Sequence, residues 1–519
     1  MPATCRFPTA PYVFACLLGL MMLFGLWFAI GQPVELADAA TPTHKLQCAS
    51  YTPFAKDQSP FDQPTQLRPE RMDADLAILA ERFECLRTYS VTGLEELPNM
   101  ARKHGLKLIV GAWVSRNPAD TAIEIAGLVK IANAHPDVIQ AVIVGNEALL
   151  RKEVTPQQLV ALIEQVKAQI KQPVTYADVW EFWLKHPEVA PAVDFITIHL
   201  LPYWEDNPAG IETALHDVAE VRQTFGIAYA PKDIMIGETG WPSEGRQRET
   251  AVPSRVNQAK FIRGFVAMAE QNGWRYNLIE AFDQPWKRIS EGAVGGYWGL
   301  YDADRQDKSI LSGPVSNLPH WPAWLAVSLS LFAAALLLAG RPHATRAALL
   351  LPMLAALAAG CIGLFAELML ITSRYLGEWL WAGALIALNL TVMAYAVLLL
   401  GQQTGWRLRL FNWLHGKAAV WLLLSGFAGA VMMLALLVDA RYRSFPSAAL
   451  LLPALVYLCH PVSGYRREIA LLALLIGAGI APQLYQETLG NGQALGWALI
   501  SALLVAALWR SLRAKAHSA

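Results

Sequence analysis

The stretch VIQAVIVGNE at residues 138–147 decides the fold, because a short, mostly apolar run ends there on Gly-Asn-Glu. A run without strict apolar–polar alternation is typical of a parallel strand that is covered on both faces. Seven similar runs occur between residues 46 and 282, and each is predicted to be a strand. They are LQCASY (46–51), FECLRTY (83–89), LKLIVGA (106–112), PVTYA (173–177), VDFITIH (193–199), DIMIG (233–237) and YNLIEAF (276–282).

Amphipathic stretches separate these runs, and TPQQLVALIEQVKAQI has Thr155 as a predicted N-cap and Pro156 in its first turn. Eight strands that alternate with helices predict an α/β fold, a (β/α)8 barrel of the TIM type. The alternative is a doubly wound open sheet, which usually carries a glycine-rich phosphate loop after its first strand. Here Tyr51-Thr52-Pro53-Phe54 follows the first strand, so the barrel is favoured.

The apolar residues outside this region predict membrane-spanning helices at both ends of the chain. We expect a signal anchor or transmembrane helix at 1–30, an extracytoplasmic barrel domain at 31–321, and an all-α transmembrane domain of about seven helices at 322–519. Ala37-Asp38-Ala39 resembles a cleavage site, so a cleaved signal peptide remains open beside an uncleaved anchor. The seven predicted C-terminal spans are about 322–340, 347–371, 379–400, 417–438, 447–460, 468–483 and 493–509.

The distribution of basic residues predicts the orientation of these spans, because cytoplasmic loops are enriched in Lys and Arg. With the N-terminus inside, ten basic residues fall in inside loops and three in outside loops. The ten are Arg341, Arg346, Arg407, Arg409, Lys417, Arg466, Arg467, Arg510, Arg513 and Lys515, and the three are Arg374, Arg441 and Arg443. The chain is therefore expected in the cell (inner) membrane as a multi-pass protein, with its catalytic domain on the periplasmic side.

Charge and cysteine usage exclude two classes of partner. The 42 basic and 42 acidic residues cancel, so no global field attracts nucleic acid. There is no CxxC motif or Cys/His cluster, which argues against a structural zinc site. Cys48 and Cys85 lie on the first two predicted strands. A disulfide between them and an arrangement in different layers both remain open.

Two glutamates occupy the positions at which barrels place their active residues, the C-terminal ends of strands. Glu147 follows strand four and Glu238 follows strand seven, within GNE and GETGWPS. Cleavage of a glycosidic bond generally uses one carboxylic acid as proton donor and a second carboxylate, which attacks the sugar carbon in retaining enzymes. The pair therefore predicts a glycosidase with Glu147 as acid/base and Glu238 as nucleophile, and this chemistry requires neither a metal nor an organic cofactor.

Aromatic and polar residues near the same strand ends are candidates for substrate binding, since amphipathic rings suit sugar faces and Asn146 can hydrogen-bond a sugar 2-hydroxyl. About half of the aromatic residues are equally expected to pack the barrel rim. The predicted binding residues are Tyr51, Arg87, Trp113, Asn146, Asp178, His199, Tyr203, Trp241, Phe282 and Lys287. Further aromatic residues in this group are Trp180, Trp183, Trp204, Trp286 and Trp298.

These motifs resemble glycoside hydrolase family 17, through VGNE (144–147), GETGWPS (237–243), LRTYS (86–90) and HLLPYW (199–204). EAFDQPWK (280–287) and GGYWGLYD (295–302) resemble its bacterial branch, where plant members carry a glutamate-rich motif instead. The resemblance implies retaining action on β-1,3-glucans, with Glu147 as proton donor and Glu238 as nucleophile. Because the bacterial branch includes proteins similar to β-(1→6) glucan synthases, both hydrolysis and transglycosylation remain open.

The expected partners are a β-glucan substrate and acceptor, membrane lipid and a separate glucan synthase, because the predicted inside loops are too short for a nucleotide-sugar domain. The competing hypothesis is a non-catalytic glucan-binding or export component, with the spans as its working part. That hypothesis predicts loss of one catalytic carboxylate, whereas both Glu147 and Glu238 are present.

Overall fold

The computed structural model describes residues 9–39, 44–62, 67–439 and 441–514. These residues form two compact units. One unit contains Val34–Glu244 and Thr250–Val315, and the other contains Met1–Pro33, Gly245–Glu249 and Ser316–Ala519. The N-terminal helix thus belongs to the same unit as the C-terminal helices, whereas the sequence predicted separate domains for them.

The first unit is a closed barrel of eight parallel strands, paired in chain order, with β1 against β8. This confirms the predicted (β/α)8 fold, because every predicted run overlaps one strand. The strands are β1 (Leu46–Ser50), β2 (Phe83–Arg87), β3 (Lys107–Ala112), β4 (Ile139–Asn146), β5 (Val174–Val179), β6 (Ile196–Leu200), β7 (Ile234–Thr239) and β8 (Arg275–Leu278).

Helices cover the outer face of the barrel, and their apolar sides pack on the strands. α5 begins with the predicted cap: the Thr155 side chain accepts from the backbone N–H of Gln158, and the Gln158 side chain accepts in return from the backbone of Thr155. The helices of this unit are α2 (Pro69–Ala80), α3 (Leu97–Lys103), α4 (Pro118–Ala134), α5 (Pro156–Lys167), α6 (Trp180–Lys185), α7 (Ala214–Ala228), α8 (Arg255–Gln271) and α9 (Arg288–Gly295).

The interior of the barrel at its N-terminal end is apolar. Cys48 and Cys85 lie opposite each other on β1 and β2, with their Cα atoms 4.5 Å apart, and they form a disulfide. Around them, one buried cluster contains Ile109, Ala141, Ile143, Ala177, Phe195 and Met235. The structure therefore resolves the open question of the cysteines in favour of the bond.

The second unit is helical, and seven of its described helices are long and apolar enough to span a membrane. Six of the seven predicted C-terminal spans belong to this set. The predicted span at 447–460 is a helix of only 12 residues, about 18 Å long at 1.5 Å per residue. The helices are α1 (Thr9–Gly31), α10 (Trp321–Ala339), α11 (Thr345–Thr372), α12 (Leu376–Leu400), α13 (Trp406–Gly416), α14 (Ala418–Val438), α15 (Ala448–Cys459), α16 (Arg466–Glu487) and α17 (Gly492–Arg513).

Basic residues at several ends of these helices contact backbone carbonyl groups. Arg407 donates to the carbonyl oxygens of Leu337 and Leu338, and Arg510 donates to that of Leu458. Lys515, which contributed to the predicted charge bias, lies outside the described residues. The predicted orientation of the spans stays a prediction.

Candidate active site

Glu147 stands immediately after β4, in a backbone turn that its sequence prepares. Gly145 has a φ of 85°, a left-handed value that glycine adopts without a steric penalty. Glu147 itself has a φ of 52°, which is uncommon for a residue with a side chain and costs about 1–2 kcal/mol. Such strain is concentrated at functional sites. Its backbone N–H donates to the carbonyl of Ala177 at 2.7 Å, which fixes the turn against β5.

Glu238 lies within β7, and its side chain is buried in the barrel mouth. The residue before it must be small, because a Cβ atom at Gly237 would lie 2.4 Å from the side chain of Thr197. His199 of β6 pairs in register with Glu238, and a register shift between Ile198 and His199 adjusts this pairing. The pairing of β6 with β7 therefore places Glu238 and His199 side by side at the same level of the barrel.

His199 bridges the two glutamates and is itself completely buried. Its Nδ1 atom lies 2.9 Å from Oε1 of Glu147, and its Nε2 atom lies 3.6 Å from Oε1 of Glu238. One carboxylate oxygen of each glutamate and a nitrogen of His199 all lie within 4.8 Å of one another. The two residues singled out by the sequence, 91 positions apart, thus converge on one small volume.

Arg87 of β2 holds this cluster from the other side. The guanidinium donates to Oε1 of Glu238 at 3.1 Å, to the carbonyl oxygen of Gly237 at 2.6 Å and to Oδ1 of Asn146 at 2.5 Å. The side chain of Arg87 is fully buried, so its charge acts in a medium of low dielectric constant. Arg87 therefore stabilises Glu238 as an anion and fixes the amide of Asn146.

The environment of Glu147 changes its acidity. Burial raises the pKa of Glu147, but the hydrogen bond from His199 and the charges of His199, Arg151 and Arg87 outweigh burial and lower that pKa below its ordinary value. The side chain of Glu147 remains 23% exposed, whereas that of Glu238 is 6% exposed. Glu147 is therefore the carboxyl group with better access to solvent and to a leaving group.

Glu147, His199 and Glu238 also form the one group of carboxylate, imidazole or thiol side chains in the described ranges that converges closely enough to hold a metal ion. The guanidinium of Arg87 lies 3.1 Å from Glu238. A cation at this distance already neutralises that carboxylate and repels a second cation. The arrangement thus suits two carboxylates that work with an arginine better than it suits a divalent metal.

A second buried ion pair, which the sequence analysis did not assign, lies after β8. Glu280 is 1% exposed, and its Oε2 atom accepts from Nζ of Lys287 at 2.7 Å. Burial raises the pKa of Glu280 to about 7, although Lys287 lowers it and the charges of Asp283 and Glu238 raise it further. The predicted strand at 276–282 actually ends at Leu278. Active residues of barrels lie at the C-terminal ends of strands. Glu280 follows the observed end of β8 by two residues, so this rule also identifies Glu280.

Glu291 of α9 adds another carboxyl group near Lys287. Burial raises the pKa of Glu291 to about 7, with contributions from Glu280, Glu147 and Glu238. Burial lowers the pKa of Lys287, but the surrounding carboxylates outweigh burial and raise this pKa above its ordinary value. Of the predicted binding residues, Lys287 therefore lies in the electrostatic environment of the two glutamates, together with Arg87, Asn146 and His199.

Trp113 is the predicted binding residue with the most open ring. It follows β3, is 39% exposed, and has the guanidinium of Arg151 4.1 Å from its ring centroid. The backbone N–H of Trp113 donates to Glu124 at 3.0 Å, which anchors the residue. An exposed indole with one face held by a cation is a suitable platform for a sugar ring.

The structure places five other predicted binding residues in buried contacts. Tyr51 donates to Asp75 at 3.2 Å, and Asp178 accepts from the hydroxyl of Tyr176. Burial raises the pKa of Asp178 to about 6. Three residues pack in aromatic clusters: Tyr203 against Trp204, Trp241 and Trp298, Trp241 against Phe261, and Phe282 against Tyr51 and Tyr301.

The remaining aromatic residues divide in the same way. Trp183 and Trp298 are buried, and Trp183 donates to the carbonyl of Thr197 at 2.8 Å. Trp180, Trp204 and Trp286 are partly exposed. About half of the aromatic candidates are thus buried by packing, and the others keep part of their ring exposed.

Three further polar residues, Ser50, Tyr89 and Asn277, form hydrogen bonds beside Glu238. Asn277 of β8 donates to Ser50 at 2.8 Å and to the carbonyl of Gly237 at 2.9 Å, and Tyr89 donates to Ser50 at 2.9 Å. The carbonyl of Gly237 therefore accepts from both Arg87 and Asn277. Only their spacing on neighbouring strands could have indicated these residues, because nothing in their composition is unusual.

Comparisons with known proteins identify relatives of the barrel. The family model of the BtgE/BtgC glycoside hydrolase domain matches residues 48–299. A Candida albicans protein named glucan 1,3-beta-glucosidase is 29% identical over an alignment of 264 residues, and the match covers 45% of this chain and 83% of the relative. A probable family 17 glucosidase of Saccharomyces cerevisiae is 25% identical over 234 residues, covering 44% of this chain and 59% of the relative.

Among solved structures, an active-site mutant of a Rhizomucor miehei beta-1,3-glucanosyltransferase in complex with laminaritriose is similar at a TM-score of 0.45 and 25% identity. It covers 51% of this chain and 96% of that protein. The family match reaches all eight strands and includes Glu147, Glu238 and the ion pair of Glu280 with Lys287. These similarities support the assignment of the barrel to glycoside hydrolase family 17, and the protein is an enzyme that acts on glycosidic bonds.

Proposed function

We propose that this protein is a retaining, membrane-anchored enzyme that cleaves β-1,3-glucosidic bonds through a covalent glucosyl intermediate on Glu238. In this mechanism Glu147 is the acid/base. The relative from Candida albicans is named for action on the same linkage. The proposal extends this linkage to the present chain.

One observation carries the proposal: an oxygen of Glu147 and an oxygen of Glu238 lie within 4.8 Å of each other. Retaining glycosidases place their two carboxyl groups about 5–5.5 Å apart, whereas inverting enzymes need about 6.5–9.5 Å to admit a water molecule between carboxylate and sugar. This separation supports direct attack by a carboxylate over attack by the water of an inverting reaction.

The first half of the reaction forms the intermediate. An oxygen of Glu238 bonds to the anomeric carbon while the bond from that carbon to the leaving sugar oxygen breaks, and Glu147 donates its proton to that oxygen. Arg87 pairs with Glu238 at 3.1 Å and orients it for attack. Asn146, whose oxygen is held by Arg87, presents its amide N–H to the 2-hydroxyl of the sugar.

The second half releases the sugar from Glu238. Glu147, now a carboxylate, removes a proton from an incoming hydroxyl whose oxygen attacks the anomeric carbon. The lowered pKa of Glu147 favours the ionised form needed in this step. Water as the attacking molecule gives hydrolysis, and a sugar hydroxyl gives a new glycosidic bond.

Transglycosylation is the outcome that we favour, including β-1,6 branching of a β-glucan acceptor. An enzyme anchored beside a membrane meets a nascent glucan at high local concentration, and Trp113 offers an open ring to an acceptor sugar. A separate synthase is the expected source of that glucan. A non-catalytic role in glucan export is the weaker alternative, because the carboxylates, Arg87 and His199 together form a complete site.

We also propose that the barrel faces the periplasm. Seven long apolar helices support membrane insertion of the second unit. The disulfide between Cys48 and Cys85 supports an oxidising compartment for the barrel, since such bonds are rare in the cytosol. Membrane lipid is then a partner of the helical unit.

The test is product analysis with the full-length protein in detergent and a Glu238→Gln control. A β-1,3-gluco-oligosaccharide is supplied at high concentration, and products are resolved by mass, linkage and anomeric configuration. Longer or branched products of retained configuration, formed by the wild type alone, are the expected result. Short products alone identify a hydrolase, inverted products refute the covalent intermediate, and equal activity of both proteins refutes the role of Glu238.

A further inference from the structure

The carboxyl group of Glu280 has one paired and one free oxygen. Oε2 accepts from Lys287 at 2.7 Å, whereas the buried Oε1 has no hydrogen-bond partner in the described ranges. A buried acceptor left without a donor is costly, and buried polar atoms are almost always paired with protein, water or ligand. The free oxygen therefore requires a donor that the folded chain does not supply.

The position of Glu280 is fixed through its backbone. Its N–H donates to the carbonyl of Trp298 at 3.2 Å, and its carbonyl accepts from the N–H of Leu300 at 2.8 Å. Lys287 then holds the side chain from one side. A carboxylate that is fixed at three points presents its remaining oxygen in a defined direction, as a binding site requires.

Glu280 also belongs to the same electrostatic environment as the nucleophile candidate. The charges of Glu238 and Glu280 both act on the half-buried Tyr89, whose hydroxyl donates to Ser50 at 2.9 Å. Lys287 interacts with Glu280, Glu291 and Glu238. Arg87 pairs with Glu238 and Lys287 pairs with Glu280, so both carboxylates already have a cation. A neutral hydroxyl donor adds a hydrogen bond to Glu280 without adding charge.

We propose that the free oxygen of Glu280 accepts a hydrogen bond from a hydroxyl group of the glucosyl ring that becomes bonded to Glu238. Glu280 is then a specificity-determining residue for the donor sugar, and Lys287 positions it. This inference rests on the proposed function. A buried acceptor left without its donor is costly, so Glu280 discriminates between a glucosyl ring and a deoxy analogue.

The experiment is a cycle that combines variants of Glu280 with substrates that lack one hydroxyl group. Wild type, Glu280→Gln and Glu280→Ala, each as the full chain in detergent, are assayed on a β-1,3-gluco-oligosaccharide and on its 2-, 4- and 6-deoxy donor-ring analogues. Glu84→Gln is the matched control, since Glu84 is an exposed residue of β2. Unfolding temperatures are measured for every variant.

We expect Glu280→Ala to lower kcat/KM on the parent substrate by about 10- to 100-fold. On one deoxy analogue the wild type loses a similar factor, and the variant then differs from wild type by less than about threefold. Equal losses on all substrates, or no loss at all, would overturn the inference. If the wild type is inactive, or Glu238→Gln is as active as wild type, the proposed function fails instead.

Discussion

The same eight strands carry apolar side chains in one part of the barrel interior and charged side chains at the mouth. At the N-terminal end, the disulfide of Cys48 and Cys85 lies among apolar side chains such as Phe195 and Met235. At the C-terminal end, a few residues further along the same strands, Arg87, His199 and Glu238 bury charge and hydrogen-bonding capacity in one volume. Stability is concentrated at one end, and costly but reactive groups are concentrated at the other.

This division matters because burying charge is expensive, and the fold must compensate for it elsewhere. Among the residues that the structure describes, Nε2 of His199 and Oε1 of Glu280 have no hydrogen-bond partner. Unsatisfied groups of this kind are tolerated where substrate completes them. Substitutions at the mouth should therefore affect the rate, whereas substitutions at the opposite end should affect the free energy of unfolding.

The largest expected effect at the mouth comes from Glu238→Gln. The amide cannot form the covalent intermediate, so kcat should fall by about 10⁴-fold or more. The shape of the side chain is kept, so the unfolding temperature should change little. Initial rates and thermal unfolding are measured on the same preparation, with Glu84→Gln as the control. A loss of less than tenfold would remove Glu238 from the chemistry.

Glu147→Gln should have a smaller effect, because it removes proton transfer but keeps the nucleophile. We expect kcat to fall by about 10²- to 10⁴-fold on natural oligosaccharides. A substrate with a good leaving group needs no proton, so it should still form the intermediate. Added azide should then attack that intermediate and restore turnover, and NMR should identify a glucosyl azide of retained configuration. An inverted azide product would contradict the two assigned roles.

His199→Asn should change the pH dependence more than the maximal rate. The hydrogen bond and charge of His199 lower the pKa of Glu147, so their loss raises this pKa. Glu147 acts as an acid only when protonated, that is, below its pKa. The descending alkaline limb of the kcat/KM profile should therefore move to higher pH. A limb that stays in place, or moves to lower pH, would show that another group controls it.

The double variant Cys48→Ser/Cys85→Ser should have the smallest effect on activity. The disulfide closes a segment with a sequence separation of 37, and loss of such a bond costs about 2–4 kcal/mol of stability. Denaturant unfolding under oxidising conditions measures this loss. Because neither cysteine belongs to the cluster of Glu147, His199 and Glu238, kcat/KM of the folded protein should change by less than about threefold. A larger change would disprove the separation of the two ends.

Sequence patterns predicted the backbone better than they predicted the surroundings of side chains. The cap at Thr155 and the first seven strand ends agree with the structure to within about three residues. The eighth strand was extended by four residues, since EAF continues its apolar pattern. Tyr203, Trp241 and Phe282 were candidate sugar contacts because of residue type, yet all three are buried. Residue type alone does not predict whether a side chain at the barrel rim faces the mouth or packs inside the protein.

The sequence by itself determined the barrel and the levels of Glu147 and Glu238 within it. Apolar runs that alternate with amphipathic helices favour a barrel when no glycine-rich phosphate loop follows the first strand, and parallel strands bring their C-terminal ends to one mouth. Only the tertiary structure decided which groups touch: the bridge through His199, the contact of Arg87 with Asn146, and the disulfide. These contacts depend on barrel closure and on local shifts of strand register, such as the one beside His199. Such shifts leave no periodic signal in the sequence.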